Sequence, residues 1–274
     1  MATALQHPAP SIDGYHQSFD RDSNSSLQLF RESVAEYAAI RVFQTLPPRE
    51  PTPEMELGTA FHCLVLEPDL FKQRYTVAPK FDRRTKDGKA AYAEWQADNA
   101  DKTPLAIEDY KLIHAMADGL RRNTRARASV EVAGEAERVV LWDDPDTGCP
   151  LKMRADRILA NEIIVDLKTT NDVRPDSWAR TVHNLGYYRQ AALYQAGVRV
   201  ALGIDCEVVF VAVSKRPPHE TGCFVLDADA IRLGHAENEA TIRELVERRA
   251  TGNWESRLHG QVIQVGLPRW AYTR

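Results

Sequence analysis

Two segments decide the fold: Leu151-Lys152-Met153-Arg154-Ala155-Asp156-Arg157-Ile158 and Ile163-Ile164-Val165-Asp166-Leu167-Lys168-Thr169-Thr170. Both read as strands, joined by a short loop near residues 160–162 that makes them antiparallel neighbours. Strand alternation sends Ile163, Val165 and Leu167 to one face and Asp166 with Lys168 to the other. With an odd loop centred on Asn161, position i pairs with 322 − i, so Asp156 faces Asp166 and Arg154 faces Lys168. The two carboxylates then stand about 5 Å apart at Cβ.

Facing carboxylates repel unless a cation lies between them. Hard oxygen ligands suit Mg²⁺, with Mn²⁺ as a substitute. Lys168 beside that ion can stabilise charge developing on a phosphate or orient and activate the attacking water. The set suits metal-assisted phosphodiester hydrolysis. An Asp-x-Lys alone is ordinary on the polar face of a surface strand, so the surrounding chain has to decide.

Residues 1–24 are rich in Pro, Ser, Asp and His and read as an irregular lead-in to a single domain over 25–274. Ser25 and Gln28 resemble a capping box opening a helix over 26–42. A second helix is expected over 56–66, ended by Pro68. Residues 80–89 read as a flexible basic loop, with Arg83, Arg84, Lys86 and Lys89 as candidate DNA contacts. Helices follow over 90–99 and 107–122, the latter running into a basic segment, 121–127. Strands 136–143 and 151–158 flank the turn 144–148. Beyond the Asp-x-Lys strand come helices 176–183 and 188–200, strands 207–214 and 223–226, and a long charged helix 228–251. Strands enclosed by helices at both ends imply one α/β domain of mixed α+β character with an N-terminal helical part.

Composition narrows the partners. The 274 residues carry 35 Lys+Arg against 39 Asp+Glu, a net charge of −4, with 43% hydrophobic and 27% charged residues. Disordered and collagen-like chains are excluded. Global basicity is absent, so any nucleic-acid contact has to come from local charge. No apolar run approaches the roughly 18 residues of a membrane span, and the N-terminus lacks a secretory pattern, so a cytoplasmic protein without membrane contact is expected. Cys63, Cys149, Cys206 and Cys223 form no CxxC pair, which argues for reduced thiols and against zinc or iron–sulfur ligation.

Two further patterns sit near the acid pair in the reading. In Tyr188-Arg189-Gln190-Ala191-Ala192-Leu193-Tyr194, Gln190 and Tyr194 share a helical face. Gly58 precedes His62 by one turn, leaving that side of its helix open to a ligand or a backbone.

The order Gly58-Thr59-Ala60-Phe61-His62, Leu66-Glu67-Pro68, Gly134-Glu135, Lys152-Met153-Arg154-Ala155-Asp156, Val165-Asp166-Leu167-Lys168-Thr169-Thr170 and Gln190-x-x-x-Tyr194 resembles the PD-(D/E)XK nuclease superfamily. More closely it resembles the exonuclease VIII (RecE) C-terminal nuclease group of phages and prophages, from about Tyr15 to Trp270. The resemblance implies a restriction-endonuclease-like core, a central mixed β-sheet flanked by helices, and a metal-dependent exonuclease acting 5′ to 3′ on linear double-stranded DNA. It further implies a homo-oligomeric ring working beside a RecT-type single-strand annealing protein in a bacterial cytoplasm. Carried over by position, Asp156, Asp166, Lys168, Gln190 and Tyr194 are the catalytic set. His62, Asp156, Asp166, Leu167 and Glu135 are the metal set, and Arg154 joins the DNA contacts. Asp166 stands where many members have Glu, and the cysteines of iron–sulfur relatives are absent.

Two other readings compete. One is a structure-specific endonuclease of the same fold. The other is a non-catalytic DNA-binding or assembly protein on the nuclease scaffold, which the presence of both acids and the lysine disfavours.

Overall fold

The computed structural model describes residues 19–82, 84–268, 271 and 272. Residues 1–18 of the lead-in, Arg83, and Trp270 of the tail lie outside the described residues, as does Tyr15, where the resemblance begins.

The first helical region is broken where one helix over 26–42 is expected. Helix α1 (Asn24–Glu32) stops at Ser33, whose extended backbone and side chain cap α2 (Val34–Tyr37), and a π-helical turn follows over Ala38–Val42. Serine favours such caps because its hydroxyl takes an amide that the next helix leaves unpaired. The capping box is present two residues earlier than expected, between Ser23 and Ser26. Helix α3 (Pro53–Leu66) starts with proline in its first turn, where the missing N–H is harmless. Then come α4 (Pro68–Arg74), β1 (Tyr75–Val77), α5 (Lys86–Asp98), β2 (Thr103–Leu105), α6 (Ile107–Arg122) and α7 (Thr124–Glu131). Lys86 and Lys89, expected in a loop, lie in the first turn of α5. A Cβ on Gly88 would lie 2.1 Å from the Asp82 carbonyl oxygen, so glycine alone lets Asp82 approach this helix so closely.

Five strands form the central sheet, in the order β3 (Gly134–Asp143), β4 (Pro150–Leu159), β5 (Ile163–Thr170), β6 (Glu207–Ser214) and β7 (Thr221–Phe224). Only β5 and β6 are parallel, joined through α8 (Pro175–Leu185) and α9 (Tyr187–Leu202). Helix α10 (Ala228–Thr251) closes the fold with the boundaries its sequence pattern gives. One face of the sheet packs against α1, α2, α8, α9 and α10 through residues such as Phe30, Tyr37, Met153, Ile164 and Leu193. The other packs against α3, α4 and α6 through Phe61, Ile113, Met116, Val165 and Leu167. The result is a mixed α/β sheet between two helical layers.

The β4–β5 register has the 322 − i relation, with Arg157 opposite Val165, Ile158 opposite Ile164 and Leu159 opposite Ile163. It stops there, one position short of the two acids. Both β3 and β4 also rotate at this level. Ala136 packs with the α3–α6 layer, yet Val140 and Trp142, of the same parity, pack with the α9 layer. Likewise Met153 and Ala155 face α9 while Leu159 faces α3. Glu137, at φ 52°, marks the rotation in β3, and its partner position in the register, Asp156, is skipped.

One residue of the expected lead-in is structural. Asp22 is fully buried and forms a bridge to Leu151, its N–H donating to the Pro150 carbonyl at 2.9 Å and its own carbonyl accepting from Lys152 at 2.7 Å. Its carboxylate accepts from Tyr37 at 2.8 Å, Ser26 at 2.9 Å and Arg249 at 2.5 Å, with Arg41 at 3.3 Å. The N-terminal helices, β4 and the end of α10 therefore share one buried anion. Replacing Asp22 with Ala leaves two arginines and two hydroxyls without their buried anion and is expected to destabilise the fold by about 3–5 kcal/mol. Denaturant unfolding checks this, and a loss under about 0.5 kcal/mol, typical of an inconsequential surface change, would contradict it.

Candidate active site

Asp166 and Lys168 project from β5 toward α9, as alternation requires. Asp166 is 2% exposed. Its Oδ2 accepts a hydrogen bond from Gln190 Nε2 at 2.7 Å, and its Oδ1 lies 2.5 Å from Lys168 Nζ. The Lys168 ammonium also stands over the Tyr187 ring, 4.7 Å from its centroid. Gln190 Nε2 further donates to Tyr194 Oη at 3.1 Å, and that hydroxyl donates to the Arg154 carbonyl at 3.1 Å. Gln190 and Tyr194 thus form a strut from the β5 acid across α9 to the β4 backbone, which positions Asp166.

Asp156 fills the place where the strand ladder stops. Its Oδ2 accepts from the Leu167 N–H at 2.6 Å and lies 3.4 Å from His62 Nδ1. A strand residue's N–H and C=O point to the same side, so the Leu167 carbonyl also points into the gap between β4 and β5. The structure therefore brings together Asp156, Asp166, Lys168, Gln190, Tyr194, Leu167 and His62. Around Gly58 there is open space, since a Cβ there would meet nothing within 4 Å.

Electrostatically the two acids differ. Burial pushes the Asp166 carboxyl up to about 6, with Asp156 adding to the rise against the pull of Lys168. Burial also opposes ionisation of Asp156, but His62, Lys168 and the Leu167 N–H outweigh it and hold this carboxyl below its ordinary value. His62 and Lys168 are raised above theirs despite burial, chiefly by Asp156 and Asp166 respectively.

Glu135, read as a further acidic ligand, is not with this group. Its side chain is 64% exposed and pairs with Arg138. Glu137, two residues on, is the acid that turns inward: its side chain is 14% exposed, and its Oε2 lies 2.8 Å from Arg154 Nε. Alternation gives the two glutamates the same face; the left-handed backbone at Glu137 separates them. Tyr187 likewise carried no signal in the sequence beyond its neighbour Tyr188.

The basic residues divide. Arg154, two residues before Asp156 on β4, pairs with Glu137. Arg84, Lys86 and Lys89 lie on α5 and the turn before it, where no helical residue is buried and Phe81, Tyr92 and Trp95 pack on one another at 5.6–6.1 Å. Arg84 pairs with Asp82. In the 121–127 segment Arg121 pairs with Asp118, Arg127 with Glu131, and Arg122 donates to the Pro218 carbonyl.

Among the described residues, no group of three or more His, Cys, Asp or Glu side chains stands close enough to enclose a metal. Two carboxylates and a carbonyl nevertheless fit a cation that keeps part of its water shell, as Mg²⁺ does. Asp166 Oδ1, removed from solvent and without a hydrogen bond of normal geometry beyond its Lys168 ion pair, is an acceptor of the kind such an ion would use.

No curated protein matches the chain. Among solved structures, a candidate exonuclease from Eubacterium rectale is 13% identical and superposes with a TM-score of 0.63 over 97% of this chain and 99% of that one, a likeness of fold. LHK-Exo, solved in complex with dAMP, is 17% identical over 70% of this chain and 92% of that one, with a TM-score of only 0.26. Residues 23–259 match the PDDEXK-like domain of unknown function (DUF3799), so the chain belongs to this family, with the PD-(D/E)XK fold that its open acid-and-lysine sheet already displays.

Proposed function

We propose that the chain is a metal-dependent exodeoxyribonuclease that digests linear double-stranded DNA, 5′ to 3′, to leave single-stranded tails for recombination. The observation that carries this reading is the set Asp156, Asp166 and Lys168 gathered where the β4–β5 ladder stops, beside an open helix face. Exonuclease action, polarity, the homo-oligomeric ring and the RecT-type annealing partner rest on the motif order that resembles the RecE group.

Asp156, Asp166 and the Leu167 carbonyl would hold Mg²⁺, with His62 alongside; such an ion polarises a phosphate and acidifies bound water. The chain's own residues supply the rest. Lys168, raised above its ordinary value, is an ammonium at neutral pH and places a positive charge where a phosphate gains negative charge in the transition state. Gln190 and Tyr194 fix the Asp166 carboxylate.

On this reading, purified protein with Mg²⁺ releases nucleotides from linear duplex DNA, and Asp166→Ala or Lys168→Ala abolishes release with the fold intact by circular dichroism. Gln190→Ala should reduce the rate about 10- to 100-fold, the usual effect of losing a group that orients a metal ligand. Wild-type protein that leaves linear duplex untouched in both Mg²⁺ and Mn²⁺ would overturn the proposal, and cleavage of covalently closed circles would favour the endonuclease reading.

A second expectation concerns pH. The folded pKa of Asp166 lies above the unfolded carboxylate value, so this group's contribution to stability is full below about pH 4 and is lost as pH rises through about 6. A bound cation relieves that loss, and protons compete with it below. Mg²⁺ should therefore raise the melting temperature more at pH 8 than at pH 5, and not at all in Asp166→Ala; equal shifts at both pH values would contradict this.

The α5 arm gives a third. If it grips phosphates, replacing Arg84 and Lys86 with Ala weakens duplex binding and flattens the dependence of log K on log[salt] by up to about 2. An unchanged slope would exclude the contact.

A further inference from the structure

Glu137 occupies a backbone conformation that side-chain-bearing residues other than Asn and Asp rarely adopt, with φ at 52°. Rotating β3 from one face to the other there requires no carboxylate; glycine would do it with less strain. Glutamate in its place therefore asks for a reason in the side chain. That side chain is mostly buried and holds Arg154 Nε at 2.8 Å. The β3–β4 register passes from Ala136–Arg157 to Arg138–Ala155 and skips the position that Glu137 and Asp156 would share, and Arg154 precedes Asp156 by two residues on β4. The charges of Asp156 and His62 both reach the Glu137 carboxyl.

We propose that Glu137 is a positioning residue: its carboxylate holds the Arg154 guanidinium beside the acid pair, where that guanidinium receives a phosphate of the DNA. A guanidinium is the side chain best matched to phosphate oxygens, because its donors lie in a rigid plane. Set among acids without a partner of its own, it would collapse onto the nearest one, Asp156, and occupy the oxygen atoms a cation needs. Glu137 supplies the partner and keeps Asp156 open. The strained backbone is what turns this carboxylate inward while Glu135 faces solvent; strain maintained in this way is a recurrent mark of functional positions. The inference rests on the nuclease reading above.

The test measures the affinity of a fluorescent linear duplex by anisotropy in EDTA over a range of salt, together with melting temperature and Mg²⁺-dependent cleavage, for wild type, E137Q, E137G, R154A and E137Q/R154A. E137Q and R154A should each weaken binding about tenfold, the usual scale for one charge-assisted hydrogen bond. R154A should also reduce the salt slope by about 1. The double variant should bind no more weakly than R154A alone, because Glu137 acts through Arg154. E137G should bind as weakly as E137Q yet melt no lower than it, since glycine relieves the backbone. Wild-type affinity and cleavage in E137Q or E137G would overturn the assignment, as would additive losses in the double variant. A wild-type protein that neither binds nor cleaves duplex removes the nuclease reading and this proposal with it; an active wild type with an unaffected E137Q removes only the role of Glu137.

Discussion

Two carboxylates on neighbouring strands cannot both stay ionised and buried without a cation, and much of the local structure answers to that constraint. The β4–β5 ladder is regular through Arg157 and Val165 and stops at the next position, where continued pairing would bring Asp156 and Asp166 together. Asp156 instead takes the Leu167 N–H through its side chain, so the amide left by the broken ladder is satisfied by the residue that breaks it. Asp166 is steadied from α9 by Gln190 and Tyr194, and Glu137 rotates β3 beside the same opening.

Much of this was legible in the residues. Strands with clear alternation and a long charged helix are governed by local periodicity, which is why β5, β6 and α10 and the 322 − i register could be read directly. The divisions that escaped reading depend on single atoms: the Ser33 cap that splits the first helix, and the αL backbone of Glu137 that inverts alternation and sends Glu135 outward. Short elements such as α4, β1, β2 and α7 have too few residues to establish a period. Asp22 was hidden for a different reason. Its six partners come from four separate stretches of chain, from Ser26 to Arg249, and no local pattern announces a buried anion shared among them.

Net charge describes this molecule poorly. Helix α10 carries five acids and four arginines. Its ion pairs Arg232–Asp229, Arg243–Glu239 and Arg248–Glu244 make it a surface of mixed charge. In the 121–127 segment most arginines are likewise committed to partners within the chain. The basic groups that stand beside the acids or on the exposed arm are few, and they matter through position.

The proposed hydrolysis needs a cation in the gap between β4 and β5. That requirement is tested most directly by a crystal structure of the protein grown with Mn²⁺ and measured at an X-ray energy where manganese scatters anomalously. An anomalous peak is expected in contact with the carboxylates of Asp156 and Asp166 and the carbonyl of Leu167, absent from Asp166→Ala crystals. A gap free of anomalous density at saturating Mn²⁺, with the ion bound elsewhere or nowhere, would contradict it.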